Sequence, residues 1–212
     1  MNSLSTTKII DKKMNIILDL DSTVISSLRP WETQPKNLKG HLMENEGEPE
    51  YIVYERPHLQ EFLDYVFENF RVAVWTAASK DYAIFIVEKI LLQGKPSRKL
   101  EFLFFDYHVG ISENISKIEC SKDLNLVWNT FPKFNNKNTI IVDDYEDVYM
   151  PQLCHSYPMP PFEANAINAD SDTELLKLKK KLDLIEEGEC PNANLITQNT
   201  VNKALAKAEI NA

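Results

Sequence analysis

The chain has 212 residues, 43% of them hydrophobic and 26% charged, an ordinary globular balance long enough to bury a sizeable core without staples. At about 150 residues per domain, that length makes one domain with decorations. Its 23 Lys and Arg against 32 Asp and Glu leave a net charge of −9, which argues against a general binder of nucleic acid or anionic membranes but not against a small basic pocket for a phosphate.

Residues 15–20 form a short apolar run ending in acid, the pattern of a buried parallel strand whose C-terminal end carries a site. Residues 29–50, with Pro30, Pro35, Gly40, Gly47, Pro49 and several Glu, read as a long loop or flap. Residues 51–54 are a strand candidate running into Arg56 and Pro57, and Pro57 suits a first helical position before apolar residues at helical spacing from Leu59 to Phe70. Residues 71–76 read as a second buried strand, 79–92 as a helix opened by Ser79, and 100–105 as a third strand. Residues 107–121 are irregular, 124–128 suggest a short helix or turn, and 138–143 form a fourth strand, again ending in acid. Residues 171–187 are an amphipathic helix with Ser171 and Glu174 matching a capping box. The alternation predicts an α/β fold, a three-layer sandwich around a mostly parallel central sheet with no large cap domain. A tail of 1–13, a domain of 14–187 and a polar tail of 188–212, loosely held from 191, are the expected divisions.

Spacing removes several chemistries. No two of His41, His58, His108 and His155 are four apart, and the five glycines form neither nucleotide-binding loop. Cys120, Cys154 and Cys190 are too few and too scattered for a disulfide framework or a C-x-x-C site, and none has the Arg six residues on that a cysteine phosphatase needs. A reducing compartment fits. The polar N-terminus has no apolar signal core and no run approaches the ~20 residues of a membrane helix, so an intracellular protein of nucleus or cytoplasm, with no membrane partner, is expected.

The sharpest feature is Asp19-Leu20-Asp21-Ser22-Thr23 directly after an apolar strand. Strand C-terminal ends carry the ligand in open α/β sheets. Asp143-Asp144 ends another strand and Thr76 a third, so converging ends would gather several carboxylates. Packed carboxylates repel and raise one another's pKa; a divalent cation relieves this, and hard oxygen ligands select Mg²⁺. A carboxylate facing the open side then predicts attack on a phosphate through an aspartyl-phosphate, with a second carboxylate protonating the leaving alkoxide and activating water. A Thr hydroxyl and a Lys would complete the phosphate cradle, and Lys122, before the fourth strand, is the best Lys.

Asp19-Leu20-Asp21-Ser22-Thr23 resembles the first motif of the haloacid dehalogenase (HAD) superfamily. Arg56-Pro57, Val74-Trp75-Thr76-Ala77-Ala78-Ser79 with Tyr82-Ala83, Lys122-Asp123-Leu124 and Ile141-Val142-Asp143-Asp144 resemble, in order, the motifs of the RNA polymerase II C-terminal-domain (CTD) phosphatase family, whose members act on phosphoserine and phosphothreonine with Mg²⁺. Lys122 to Trp128, Lys137 to Ile140 and Asp172 to Leu178 bring the later part closer to the ubiquitin-like-domain-containing branch. The resemblance covers about 14–187. It implies that Asp19 is nucleophile and metal ligand, that Asp21 is general acid/base with its backbone carbonyl on the metal, and that Thr76 and Lys122 bind phosphate. It makes Asp144 the second direct metal carboxylate with Asp143 beside it or acting through water, leaving the order of the two open. Thr23 supports the loop, and Arg56 is substrate-side or structural. The family usually has Glu at Ser22 and Leu at Val24, and a longer, substrate-gripping segment where 107–121 stands. No ubiquitin-like domain precedes residue 14, so the proteasome-docking role is not expected. A stand-alone domain of this kind fits a large DNA virus or a unicellular eukaryote.

Plainer readings exist for each residue. Asp19 and Asp21 alone would be turn acids, Asp143 and Asp144 helix-capping acids, Lys122 a surface lysine, Arg56 the partner of a core-edge acid, and Thr76 a strand former. Trp75 and Trp128 read as core, Trp31 as open, Cys120 as a buried small residue, and the lysines of 177–181 as a solvated face. Together the residues predict Mg²⁺-dependent phosphoryl transfer, and the resemblance implies a serine/threonine phosphoprotein phosphatase. A small-molecule phosphatase of the same superfamily and a non-catalytic binding member of the fold are the rivals.

Overall fold

The computed structural model describes residues 13–185 and 188–192. In chain order the elements are β1 (Asn15–Leu18), β2 (Ile25–Leu28), β3 (Gly40–Asn45), β4 (Glu48–Glu55), α1 (Leu59–Asn69), β5 (Arg71–Trp75), α2 (Lys80–Ile86), β6 (Leu100–Phe104), α3 (Asp106–Ile115), α4 (Leu124–Thr130), β7 (Thr139–Asp143), α5 (Glu146–Tyr149), β8 (Ser156–Pro158) and α6 (Glu174–Leu182). A π-helical turn, Val87–Leu92, extends α2.

The central sheet has the order β6-β5-β1-β7-β8, and each neighbouring pair is parallel. Period-two alternation sends its side chains to two different cores. Ile16, Leu18, Val72, Val74, Ile140 and Val142 join α1, α2 and α6 on one face. Ile17, Ala73, Trp75 and Ile141 join α4 and α5 on the other. β1, β5 and β7 are buried at every position, which is why they read as continuous apolar runs, and each fully buried Val, Leu or Ile contributes about 1.5–3 kcal/mol. The α/β three-layer expectation holds, and Trp75 is core.

The first departure lies in 40–50. Residues 29–39 carry no strand, as a loop should, but β3 and the start of β4 join β2 in a three-stranded antiparallel sheet, β2-β4-β3. β3 and β4 close on a two-residue turn, Asn45 pairing with Glu48, and Glu46 (φ 53) and Gly47 (φ 85) both adopt the left-handed conformation that such turns demand. The acids of this segment face solvent on a hairpin edge, so its composition masked its pairing. Its inner face buries Leu28 and Tyr54 against Phe162 and Ala164.

Other departures are local. Residues 107–121 are not irregular: most of that segment is α3, whose single deeply buried side chain, Ser112, leaves little apolar periodicity to read. α1 begins after His58, which has φ 67, rather than at Pro57. The Ser171–Glu174 capping box does not form; Asp172 Oδ1 accepts from the Glu174 backbone N–H at 2.9 Å instead. Cys154 and Cys190 form one disulfide across 36 residues of sequence, a contact that spacing cannot show. Residues 188–192 pack back on the domain, with the buried Asn192 side chain donating to Leu153 O at 2.8 Å. Residues 1–12 and 193–212, expected as tails, lie outside the described residues. Among those described, no helix is long and apolar enough to cross a membrane.

Candidate active site

β1 delivers Asp19 by register. Its backbone N–H donates to Val142 O on β7 at 3.0 Å, so the residue after β1 sits beside the end of β7. The chain then turns sharply: the N–H groups of Thr23, Val24 and Ile25 all converge on Leu20 O, and Ser22 occupies the left-handed region at φ 57. The turn lifts Asp21 over the sheet edge and drops Thr23 beside β7. β7 delivers Asp143 and, one residue on, Asp144; β5 is followed by Thr76, whose N–H donates to Phe104 O at 3.0 Å.

Three carboxylates converge. Ligand oxygens of Asp19, Asp143 and Asp144 lie within 4.8 Å of one another. Lys122 Nζ enters between two of them, 2.6 Å from Asp19 Oδ1 and 2.7 Å from Asp143 Oδ2. Burial alone would lower the Lys122 pKa, but these two carboxylates outweigh it and raise it, so the ammonium is held charged. Asp143 is raised by burial and by the neighbouring Asp19. Asp144 is raised for the same two reasons, although Thr23 Oγ1, donating at 3.0 Å, works the other way. One lysine against three acids leaves excess negative charge, and an all-oxygen set at this spacing fits a hard divalent cation.

Asp21 stands apart from that cluster. Its Oδ1 accepts from Tyr82 OH at 2.6 Å and from Ser27 Oγ at 3.0 Å. Burial raises its pKa, opposed by those two donors and reinforced by Asp19. A carboxyl poised toward its protonated form beside an ionic cluster suits an acid/base. A cavity of about 330 Å³ joins Asp19, Asp21, Thr76, Lys122, Asp143 and Asp144, so the structure brings together the sequence-predicted acids, the threonine and the lysine.

Arg56 does not reach this cavity. Its guanidinium, 0% exposed, forks onto both Asp172 oxygens at 3.0 and 2.8 Å and donates to Thr23 O at 2.8 Å. Arg56 ties the Asp172 segment to the turn carrying Thr23, and Thr23 in turn donates to Asp144. The sequence reading missed Asp172 as that partner. It also missed Ser27 and Gln152, and it had Tyr82 only as a motif residue without a role. Tyr82 fits the helical apolar stripe, and only its hydroxyl betrays a second role. Gln152 is buried and donates to Lys122 O at 2.9 Å while accepting from Leu124 N at 3.2 Å, fixing the lysine's backbone; it lies at the kink of a short 3-10 turn, Met150–His155, with no periodic signal. Cys120 is buried with its thiol pushed up to about 12, first by burial, and so is no nucleophile.

Residues 14–192 match the family described as NLI interacting factor-like phosphatase. The chain belongs to this family. It is similar to the CTD phosphatase-like protein 355R of Invertebrate iridescent virus 6, at 39% identity over 176 residues, 79% of this chain and 96% of that protein. The protein of the same description in Invertebrate iridescent virus 3 is 38% identical over 181 residues, 82% of this chain and 97% of that protein. The ubiquitin-like domain-containing CTD phosphatase 1 of Drosophila melanogaster is 28% identical over 187 residues, 86% of this chain but 52% of that protein. Among solved structures, the fission yeast RNA polymerase II CTD phosphatase Fcp1 bound to beryllium fluoride shares the fold, with a TM-score of 0.50 and 20% identity over 80% of this chain and 50% of that one. Fold class and membership in a phosphatase family thus agree with the sequence reading.

Proposed function

We propose that the chain is a Mg²⁺-dependent phosphoprotein phosphatase that hydrolyses phosphoserine or phosphothreonine through a phosphoryl group carried on Asp19. The observation that carries this reading is the pairing of a clustered, lysine-bridged Asp19 with a separately held Asp21 in one open cavity. Asp19, Asp143, Asp144 and the Asp21 backbone carbonyl would hold the cation, which when bound would offset the mutual repulsion of these carboxylates and the phosphate. Asp19 attacks phosphorus, the P–O bond to the serine oxygen breaks, and Asp21 gives its proton to that oxygen, releasing the free hydroxyl. Asp21, now ionised, takes a proton from water as it attacks phosphorus; inorganic phosphate leaves and Asp19 is regenerated. Lys122 and Thr76 hold the phosphoryl oxygens through both steps, and Thr23 keeps Asp144 turned toward the cluster.

The substrate class follows from the open cleft and from the relatives' descriptions as CTD phosphatases and CTD phosphatase-like proteins. Hydrolysis of p-nitrophenyl phosphate and of a serine-phosphorylated peptide, with Mg²⁺ and with EDTA, tests it. Turnover of both, abolished by EDTA, is expected. Turnover of the small ester alone would return the site to a small-molecule phosphatase, and no turnover by folded protein would return it to a binding role.

A further inference from the structure

A second, larger cavity of about 620 Å³ opens beside the catalytic one and shares Asp21 and Ala78 with it. Its walls are the tip of the β3–β4 hairpin and the start of α2, and its lining includes Met43, Glu44, Glu50, Tyr51, Asp81 and Tyr82. Among the described residues, no Lys or Arg lines it. The nearby Arg29 is already engaged: its guanidinium stacks on Tyr51, 4.0 Å from the ring centroid, and pairs with Glu50 at 3.7 Å. Glu44 and Asp81 have no ion-pair partner among the described residues and sit on opposite walls. The floor is not purely acidic. Met43 and the rings of Tyr51 and Tyr82, packed edge to face at 5.7 Å, offer an apolar and π-rich bed. That combination matches a long basic side chain, whose methylenes lie along apolar surface while its charged end meets carboxylates.

We propose that this cavity is the subsite for residues flanking the phosphoserine, and that Glu44 and Asp81 select a substrate with Lys or Arg next to the phosphorylated residue. The proposal rests on the phosphoprotein-phosphatase reading. Continuity with the catalytic cavity through Asp21 makes the occupant the same peptide that presents its phosphate to Asp19, rather than a separate ligand. The charge is complementary to a basic segment, and it repels a neighbouring phosphate or acidic residue. The hairpin, which departs most from the sequence expectation, thereby acquires a function, because it supplies the Glu44 wall.

The test compares kcat/KM for three phosphoserine peptides of one length, flanked by Arg, by Ala or by Glu, with p-nitrophenyl phosphate alongside. The order Arg over Ala over Glu is expected, with the Arg peptide roughly fivefold to tenfold ahead of Ala, since each part-exposed ion pair contributes modestly. The advantage shrinks as salt rises. In the double variant Glu44→Lys with Asp81→Lys the order inverts, a readout that simple loss of stability would not produce. Equal values for the Arg and Ala peptides in the wild type, or a preference that survives the double variant, would overturn the subsite and leave the phosphatase reading standing. Turnover of p-nitrophenyl phosphate with none of any peptide would overturn both.

Discussion

Asp19 and Asp21 are two residues apart, and the opposite roles proposed for them rest on different surroundings. Asp19 is locked to Lys122 at 2.6 Å, while Asp21 lies among hydroxyls and is pushed by burial toward its protonated form. Asp21→Asn is therefore expected to lower kcat on a phosphoserine peptide by about 10²–10⁴, and by far less on p-nitrophenyl phosphate, whose leaving group departs without a proton. Steady-state kinetics on the two substrates check this; equal losses would remove Asp21 from the acid role. Tyr82→Phe removes one of the two side-chain donors to Asp21 and is expected to cost about tenfold in kcat on the peptide, the scale of one hydrogen bond to a charged group. At this scale the sequence was legible wherever a residue sits at a strand end in a dense motif: Asp19, Asp21, Thr76, Asp143 and Asp144. It gave no role to Ser27, Gln152 or Asp172: Gln152 and Asp172 act through contacts 30 and 116 residues away in sequence, and Ser27, six residues from Asp21, carries no motif of its own.

Between elements, the Arg56–Asp172 pair joins the segment before α6 to the turn after β1. Removing one partner of a buried pair leaves an uncompensated charge, so Arg56→Ala is expected to cost about 3 kcal/mol of unfolding free energy, measured by urea denaturation, and to loosen Thr23 and so Asp144. Burial pushes the Asp172 pKa up, but Arg56 and the Glu174 N–H more than reverse this and lower it from 3.8. A lowered folded pKa means stabilisation that is fully present above the unfolded value and lost as pH falls through the folded one. Unfolding midpoints followed from pH 6 down to pH 2 should thus fall less steeply in Asp172→Asn than in the wild type; identical slopes would remove this pair from the acid response. The parallel strands and the amphipathic helices α1 and α6 were legible because each commits a whole face to the core. The β3–β4 hairpin and α3 were not, because their exposed acids and polar residues follow a one-sided burial that gives no period strong enough to read.

For the whole molecule, three facing carboxylates with one lysine would make the proposed cation a structural partner as well as a chemical one. Mg²⁺ at about one hundred times its dissociation constant is expected to stabilise the fold by about 2.7 kcal/mol, visible as a rise in Tm that EDTA reverses and that Asp144→Asn reduces; an unchanged Tm would contradict the metal assignment. The layered architecture was readable from the strand–helix alternation, whereas the groove between hairpin and α2 exists only once the small sheet is folded beside the large one. The proposed chemistry turns on Asp19 carrying the phosphoryl group. The most direct measurement is acid quenching of the protein during turnover of a ³²P-labelled phosphoserine peptide, followed by hydroxylamine treatment and peptide mapping. Label on Asp19 that hydroxylamine releases, absent from Asp19→Asn along with turnover, is the predicted result. Undiminished turnover by Asp19→Asn, or label on any other residue, would contradict it.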